Sequence, residues 1–254
     1  MRRVVLLAAL ACWACSTKPQ GRTVRIAAAS DLARAFEELG KAFEAKTHIT
    51  PVFSFDSSGL LAKRIEQGAP YFLFASANKD FADEVVKQGR CDGASMRSYA
   101  HGQIVVWCRT GTPAPVKLAD LADPRFRRIA IANPDHAPYG RAAKQALEKA
   151  GIWDAVSDHV KFGDSVQAAM QYARSGAVDA SIVALSLAVV TDGGAFLPID
   201  QALYDPLDQQ LVVCGNGEEA DAAHQFVDFI SSPEGREVMT RYGFVLPNEQ
   251  MRKP

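Results

Sequence analysis

The chain has 254 residues, 48% of them hydrophobic, with 28 basic and 29 acidic side chains and a formal net charge of −1. This length allows one large or two small hydrophobic cores. No block of like charge occurs in the sequence, which excludes the basic surface that nucleic-acid binding requires. The near-neutral charge also gives no long-range attraction for an anion, so any anion selectivity has to come from local dipoles.

The N-terminus has the pattern of an export signal. An arginine pair precedes the apolar run 4–11, which is too short for a good membrane span. We therefore expect residues 1–21 to be a signal peptide or a lipoprotein tether, and the mature protein to be periplasmic or otherwise extracytoplasmic. Cys12 and Cys15 each follow a rough lipoprotein box and are the candidates for a lipid anchor, with ordinary cleavage before Cys12 as the alternative.

Apolar strand-like runs alternate with amphipathic helical stretches through the rest of the chain. In the first helical stretch, Leu32, Phe36, Leu39 and Phe43 share one face at helical spacing. The predicted strands lie at 24–28, 52–55, 72–75, 104–107, 129–132, 182–184 and 211–213. The predicted helices begin near residue 32 and then run at about 58–67, 80–88, 140–150, 165–175 and 219–230, with a short one from 231.

This alternation predicts an α/β protein with mostly parallel sheets flanked by helices. Two βα series are visible, and the strand and two helices that follow them fit best by returning to the first series. We therefore predict two lobes, with 22–103 plus 212–254 as lobe I and 104–211 as lobe II. Ligands of open α/β sheets bind at the carboxyl ends of the strands, so two facing lobes predict a binding cleft between them.

Three strand-to-helix turns, at 29–31, 57–59 and 163–166, carry a hydroxyl at the start of a helix. The first N–H groups of a helix have no partner within it and lie at the positive end of the helix dipole. Such a turn binds an anion without a counter-charge. Three of them favour a receptor for a small oxyanion, although each hydroxyl taken alone is also an ordinary helix cap.

Catalysis has little support in the sequence. It contains no nucleophile-elbow pattern and no helix with paired metal-binding histidines. An exported serine hydrolase using Ser57 or Ser58 is the alternative from another class, but the sequence identifies no general base for it. The glycine-rich segment 215–217 resembles a dinucleotide fingerprint only superficially, because the acidic residues after it would repel a pyrophosphate. We expect a protein that is not an enzyme and has no cofactor.

Three cysteines lie in the part of the chain expected to fold: Cys91, Cys108 and Cys214. Their spacings fit no zinc site. Cys108 and Cys214 end apolar strand-like runs and fit buried core positions. A disulfide between two of the three is consistent with an exported protein, and the sequence leaves the pair open.

Segments along nearly the whole mature chain resemble, in order, the periplasmic molybdate-binding proteins of ABC importers. The segments are 27–32, 54–62, 68–70, 74–78, 133–143, 182–186 and 203–206. The resemblance implies a type II periplasmic binding protein, monomeric, which binds molybdate or tungstate and delivers it to an ABC permease and its ATPase. A receptor for sulfate, ferric iron or an organic anion is the alternative within the same class.

The resemblance also implies which residues bind the oxyanion. Ser30 and Ser58 would donate from their hydroxyl and N–H groups in lobe I, and Ala77 would donate a backbone N–H there. Val166 would donate a backbone N–H at the start of a helix in lobe II. All of these donors are uncharged, and no residue is expected to bind a metal cation directly.

The sequence departs from the family pattern at several positions. Ala184 stands where many members have a tyrosine that completes the ring of donors, and Tyr139 is the expected substitute, at the cleft rim with its hydroxyl free to donate. Phe72 and Asn78 stand where relatives often have aspartate, which leaves their effect on ligand choice open. The carboxylate of Asp31 is expected to point away from the ligand and cap the first helix, because it would otherwise repel an anion.

Overall fold

In a computed structural model, residues 21–247 of the chain are described. The predicted signal or tether, with Cys12 and Cys15, lies outside the described residues apart from Gly21. Among the helices of the described part, none is long and apolar enough to cross a membrane.

Within residues 21–247, ten strands form two five-stranded sheets. The strands are β1 (Arg22–Ala29), β2 (Ile49–Asp56), β3 (Leu73–Ser76), β4 (Arg97–Gly102), β5 (Ile104–Arg109), β6 (Ile129–Ala132), β7 (Val160–Gly163), β8 (Ala180–Ala184), β9 (Gly194–Pro198) and β10 (Leu207–Val213). The first sheet has the order β2-β1-β3-β10-β4 and the second β7-β6-β8-β5-β9. In each sheet three adjacent strands are parallel, and one strand, β10 in the first and β5 in the second, is antiparallel to both of its neighbours, so both sheets are mixed.

Helices cover both sheets. They are α1 (Ala33–Thr47), α2 (Ser58–Glu66), α3 (Lys79–Lys87), α4 (Pro138–Lys149), α5 (Trp153–Val156), α6 (Val166–Arg174), α7 (Leu185–Ala188), α8 (Glu218–Ser231) and α9 (Pro233–Arg241). The predicted apolar face of α1 is buried against α8, where the rings of Phe36 and Phe43 lie 5.5 and 5.1 Å from that of Phe226. Burying a phenylalanine contributes about 1.5–3 kcal/mol, so this face fixes α1 on its sheet.

All seven predicted strands are present. The sequence reading missed β4, β7 and β9, and it missed the four-residue helices α5 and α7. β7 and β9 are edge strands whose residues are largely exposed, so they lack the continuous apolar run that marks a buried strand.

The chain crosses between the sheets twice. It leaves the first sheet after Gly102 and returns with β10, which begins at Leu207. Residues 207–211 therefore pair in the first sheet, although the sequence assigns them to lobe II. The sequence pattern indicates a strand only at 211–213, because the preceding Gln209 and Gln210 are polar. Both glutamines are nevertheless buried in the structure.

The disulfide pair left open by the sequence is Cys91 with Cys214, and Cys108 is a buried free thiol. The bond joins the segment after α3 to the end of β10, the strand that returns from the second sheet. The enclosed stretch of chain contains all of the second sheet. Cys214 is buried, as the core position predicted for it requires.

Candidate functional site

A small cavity lies between the two lobes, with room for about one water-sized sphere, near 10 Å³. Its walls follow the carboxyl ends of parallel strands in both sheets, where α/β proteins bind ligands. It is lined by Ala29, Ser30, Asp31, Asp56, Ser57, Ser58, Ala77, Ala137, Pro138, Tyr139 and Val166. The cavity suits a compact ligand, because organic ligands occupy pockets of roughly 300–1,000 Å³.

All five residues predicted for the site line this one cavity. Ser58 and Val166 are the first residues of α2 and α6, and Tyr139 is the second residue of α4. Ser30 opens a single 3₁₀ turn after β1, and Ala77 follows β3. The N-termini of three helices therefore converge on the cavity with N–H groups that lack acceptors inside their helices, which directs the positive ends of three helix dipoles at it without a cationic side chain.

Helix capping explains only one of the hydroxyls in the three turns. Ser165 caps α6, since its Oγ accepts a hydrogen bond from the N–H of Ala168 at 3.2 Å. No side chain caps α2 or the turn that begins at Ser30. Ser57 Oγ instead lies 2.8 Å from Nδ1 of His136. The serines at the start of the other two helical segments are therefore available for another role.

Ser58 and Ala77 contact each other at the cavity wall. The Ala77 N–H donates to Ser58 Oγ at 2.9 Å. Because the serine oxygen accepts this bond, its own O–H proton remains for donation to a ligand. The resemblance implies that the Ala77 N–H binds the ligand, but in this structure it orients the Ser58 hydroxyl.

Tyr139 does not have the free, rim-exposed hydroxyl expected from the sequence. The residue is only 3% exposed, and its hydroxyl donates to Asp31 Oδ2 at 2.9 Å. Gln209 Nε2 donates to the same carboxylate oxygen at 2.8 Å and lies 3.0 Å from the Tyr139 hydroxyl. A Cβ on Gly102 would come within 2.5 Å of that hydroxyl. The glycine at 102 therefore leaves room for the three bonded side chains of Asp31, Tyr139 and Gln209, the Asp31 cluster.

The expectation that Asp31 caps the first helix is also wrong. Its side chain is buried and bonds to Tyr139 across the interlobe gap, and its Oδ1 has no hydrogen-bond partner. Burial raises the pKa of Asp31 to about 6, although the hydrogen bonds from Gln209 and Tyr139 act in the opposite direction. A carboxylate is thus held at the cavity wall where the sequence reading places none.

Two carboxylates are the only charged side chains in the described lining of the cavity, Asp31 and Asp56. Asp56 is neutralised locally, because its Oδ2 lies 2.6 Å from Arg64 and its Oδ1 accepts from the Ser57 N–H. Among residues 21–247, no group of three or more histidine, cysteine, aspartate or glutamate side chains is placed to hold a metal ion. The ferric-iron alternative therefore has no histidine, cysteine or carboxylate cluster to support it in the described part.

Further bonds join the lobes around the cavity. The Gly59 N–H donates to the backbone oxygen of His136 at 2.9 Å, and a Cβ at Gly59 would approach that oxygen to 2.7 Å. The Ser186 hydroxyl donates to the backbone oxygen of Asp31 at 3.0 Å. Sequence reasoning missed His136, Ser186 and Gln209 as site residues, because interlobe contacts leave no periodic or motif signal.

Comparison with known proteins agrees with this architecture. The family model for bacterial extracellular solute-binding proteins matches residues 24–245. The molybdate-binding protein ModA of Rhodobacter capsulatus is 32% identical over 223 residues, 86% of either chain. ModA of Azotobacter vinelandii is 32% identical over 251 residues, 96% of this chain and 97% of that protein. The solved structure of an Azotobacter vinelandii periplasmic molybdate-binding protein superposes with a TM-score of 0.83 at 30% identity, covering 89% of this chain and 100% of that one.

These findings identify a two-lobed, type II periplasmic binding protein fold. The chain belongs to the bacterial extracellular solute-binding protein family. Its relatives are solute-binding proteins that act outside the cytoplasm, and solute-binding proteins of ABC transporters work with a permease and an ATPase.

Proposed function

We propose that this protein binds molybdate or tungstate in the interlobe cavity and delivers it to an ABC importer. One observation carries the proposal: three helix N-termini and two serine hydroxyls converge on a small interlobe cavity that no lysine or arginine lines in the described chain. The relatives whose names state molybdate binding span nearly the same length of chain, which supports this choice of anion.

The proposed donors are Ser30, Ser58, Tyr139 and Val166, all of which are uncharged, and the Ala77 N–H supports them by orienting the Ser58 hydroxyl. A hydrogen bond to a charged partner contributes about 1.5–3 kcal/mol. About five to seven such bonds, after the cost of association, support a dissociation constant in the micromolar to nanomolar range. Catalysis and a resident cofactor have no part in the proposal.

Selectivity in this scheme comes from size and protonation. Molybdate and tungstate are larger tetrahedral dianions than sulfate, so donors placed for the larger ions are too far apart for sulfate. Protonated phosphate needs a hydrogen-bond acceptor, and a ring of donors gives it none. The carboxylate of Asp31 is the one acceptor of this kind at the described cavity wall that no cation neutralises. The affinity for phosphate is therefore the most informative comparison with molybdate.

The proposal extends to the cellular setting. The chain would be exported by its N-terminal segment, act as a monomer, and stay near the membrane through a lipid on Cys12 or Cys15 or be released by cleavage. Its partners would be the permease and ATPase of one importer. Mass spectrometry of the mature N-terminus distinguishes the lipidated cysteine from the cleaved form.

Isothermal titration calorimetry tests the function directly. Molybdate and tungstate should bind with micromolar or tighter dissociation constants and a stoichiometry of one, and sulfate and phosphate should bind at least a hundredfold more weakly. Tight binding of sulfate with no heat from molybdate or tungstate would reject the proposed ligand.

Ser58→Ala should weaken molybdate binding by about 1–3 kcal/mol, because one oxygen of the anion loses its donor. The matched control is Ser181→Ala, which removes another buried hydroxyl, one that donates to the backbone oxygen of Ala130 in the second sheet. Calorimetry should give the control a wild-type dissociation constant. Equal losses in both variants would assign the effect to protein stability.

Tyr139→Phe should likewise weaken binding by about 1–3 kcal/mol, since the hydroxyl proposed as the lobe II donor is lost. Tyr204→Phe is its control, because Tyr204 is also buried but does not line the cavity. A Tyr139→Phe variant that binds molybdate as tightly as the wild type would remove Tyr139 from the set of donors.

A hydrolase remains the second candidate because Ser57 Oγ lies 2.8 Å from His136 Nδ1, the geometry of a nucleophile and its base. Turnover of p-nitrophenyl acetate by the wild type that disappears in Ser57→Ala would favour the hydrolase. Turnover no faster in the wild type than in Ser57→Ala would exclude this pair as its machinery.

A further inference from the structure

The carboxylate of Asp31 lies where a receptor for a dianion should have none. It lines the cavity beside Ser30 and is 1% exposed. One carboxylate oxygen accepts from both Tyr139 and Gln209, and the other has no partner. In this arrangement the Tyr139 hydroxyl donates its single proton to Asp31 and cannot donate to a ligand.

An ionised Asp31 and a bound dianion would repel each other strongly, because water does not screen charges in a buried cavity. No cationic side chain in the described lining offsets this repulsion, and Arg64 pairs with Asp56. The conflict disappears if the carboxyl group is neutral when the anion is bound.

We propose that the cleft binds its oxyanion together with one proton, which Asp31 takes from solvent as the anion enters, and that this protonation frees the Tyr139 hydroxyl to donate to the anion. The inference rests on the proposed oxyanion function and adds a residue that determines its pH dependence. The step is a simple proton transfer: the carboxylate gains the proton, and no other bond forms or breaks.

The surroundings of Asp31 allow this change at neutral pH. The groups that face it are uncharged: Tyr139 from α4, Gln209 from β10, Tyr99 from β4 and the Ser186 hydroxyl from α7 at its backbone oxygen. No cation pairs with Asp31 in the described residues. Burial already raises its pKa to about 6 in the ligand-free protein, and a neighbouring dianion raises the pKa further, well above neutral pH, which holds the proton.

The test is calorimetry of the full mature chain with molybdate at pH 7.5, in buffers of different ionisation enthalpy. The slope of observed heat against buffer enthalpy gives the number of protons taken up. We expect close to one proton per molybdate, and a dissociation constant that rises about tenfold for each pH unit above about 7, up to the pKa of Asp31 in the complex. Asp31→Asn should bind molybdate with no uptake and no pH dependence in that range.

Asp56→Asn is the matched control, because it removes the other cavity carboxylate, which Arg64 neutralises, and should keep the uptake of one proton. The number of protons that the wild type takes up per molybdate tests the inference even if Asp31→Asn fails to fold. Molybdate binding without proton uptake would overturn this inference and leave the proposed function intact. Absence of binding by every oxyanion would remove both. Uptake that persists in Asp31→Asn would assign the proton to another group and also overturn the inference.

Discussion

Replacing both Cys91 and Cys214 with serine is expected to lower the free energy of unfolding by about 5 kcal/mol. The bonded cysteines are separated by 123 positions, and closing a loop of that length removes much of the conformational entropy of the unfolded chain. The enclosed loop contains the whole of the second sheet, so the loss applies to both lobes. Urea denaturation followed by circular dichroism measures the change.

Reduction of the wild-type disulfide with dithiothreitol is the control for side-chain effects of the serines. It should reproduce most of the destabilisation without any substitution. Because Cys108 is a buried free thiol in the other lobe, Cys108→Ala should leave the response to dithiothreitol unchanged. A destabilisation under about 1 kcal/mol in both the reduced protein and the double variant would contradict the predicted contribution of the bond.

Asp31→Asn is expected to raise the free energy of unfolding of the ligand-free protein at pH 8 by about 3 kcal/mol, from a pKa shift of about two units. The pKa of Asp31 in the folded protein, about 6, lies above its ordinary value of 3.8. The folded state therefore binds more protons between these values, and stability falls as the pH rises from 3.8 through 6. Asparagine removes this cost because it does not ionise.

The pH dependence identifies the group. The variant and the wild type should converge below about pH 4, where Asp31 is protonated in both states, and diverge fully above about pH 7. Asp56→Asn should show no such gain, since that carboxylate is paired with Arg64. An Asp31→Asn variant that is less stable than the wild type at pH 8 would mean that the two hydrogen bonds outweigh the burial of the charge.

The architecture could largely be predicted because apolar strands and amphipathic helices leave strong local signals. Hydroxyls at three strand-to-helix turns also indicated the cavity, since the carboxyl ends of neighbouring parallel strands meet at one edge of a sheet. Ser30 and Ser58 lie together for that reason, and Val166 meets them from the corresponding edge of the other sheet.

The Asp31 cluster could not be predicted, because its partners come from distant parts of the chain. An aspartate at the start of a helix is an ordinary cap, and only the closed arrangement of lobes brings Tyr139 to it. Gln209 looks like a surface residue in the sequence, yet it is fully buried against Asp31. The disulfide was undecided for a similar reason, since three cysteines allow three pairs and only the return of β10 selects Cys214.

The central claim is that uncharged groups alone hold the oxyanion between the lobes, and a crystal structure of the protein grown with molybdate tests it most directly. The account predicts one molybdate in the cavity, with donors from Ser30, Ser58, Tyr139 and Val166 and no lysine or arginine within hydrogen-bond distance. A lysine or arginine side chain bound to the molybdate, or a molybdate bound elsewhere with the cavity empty, would contradict it.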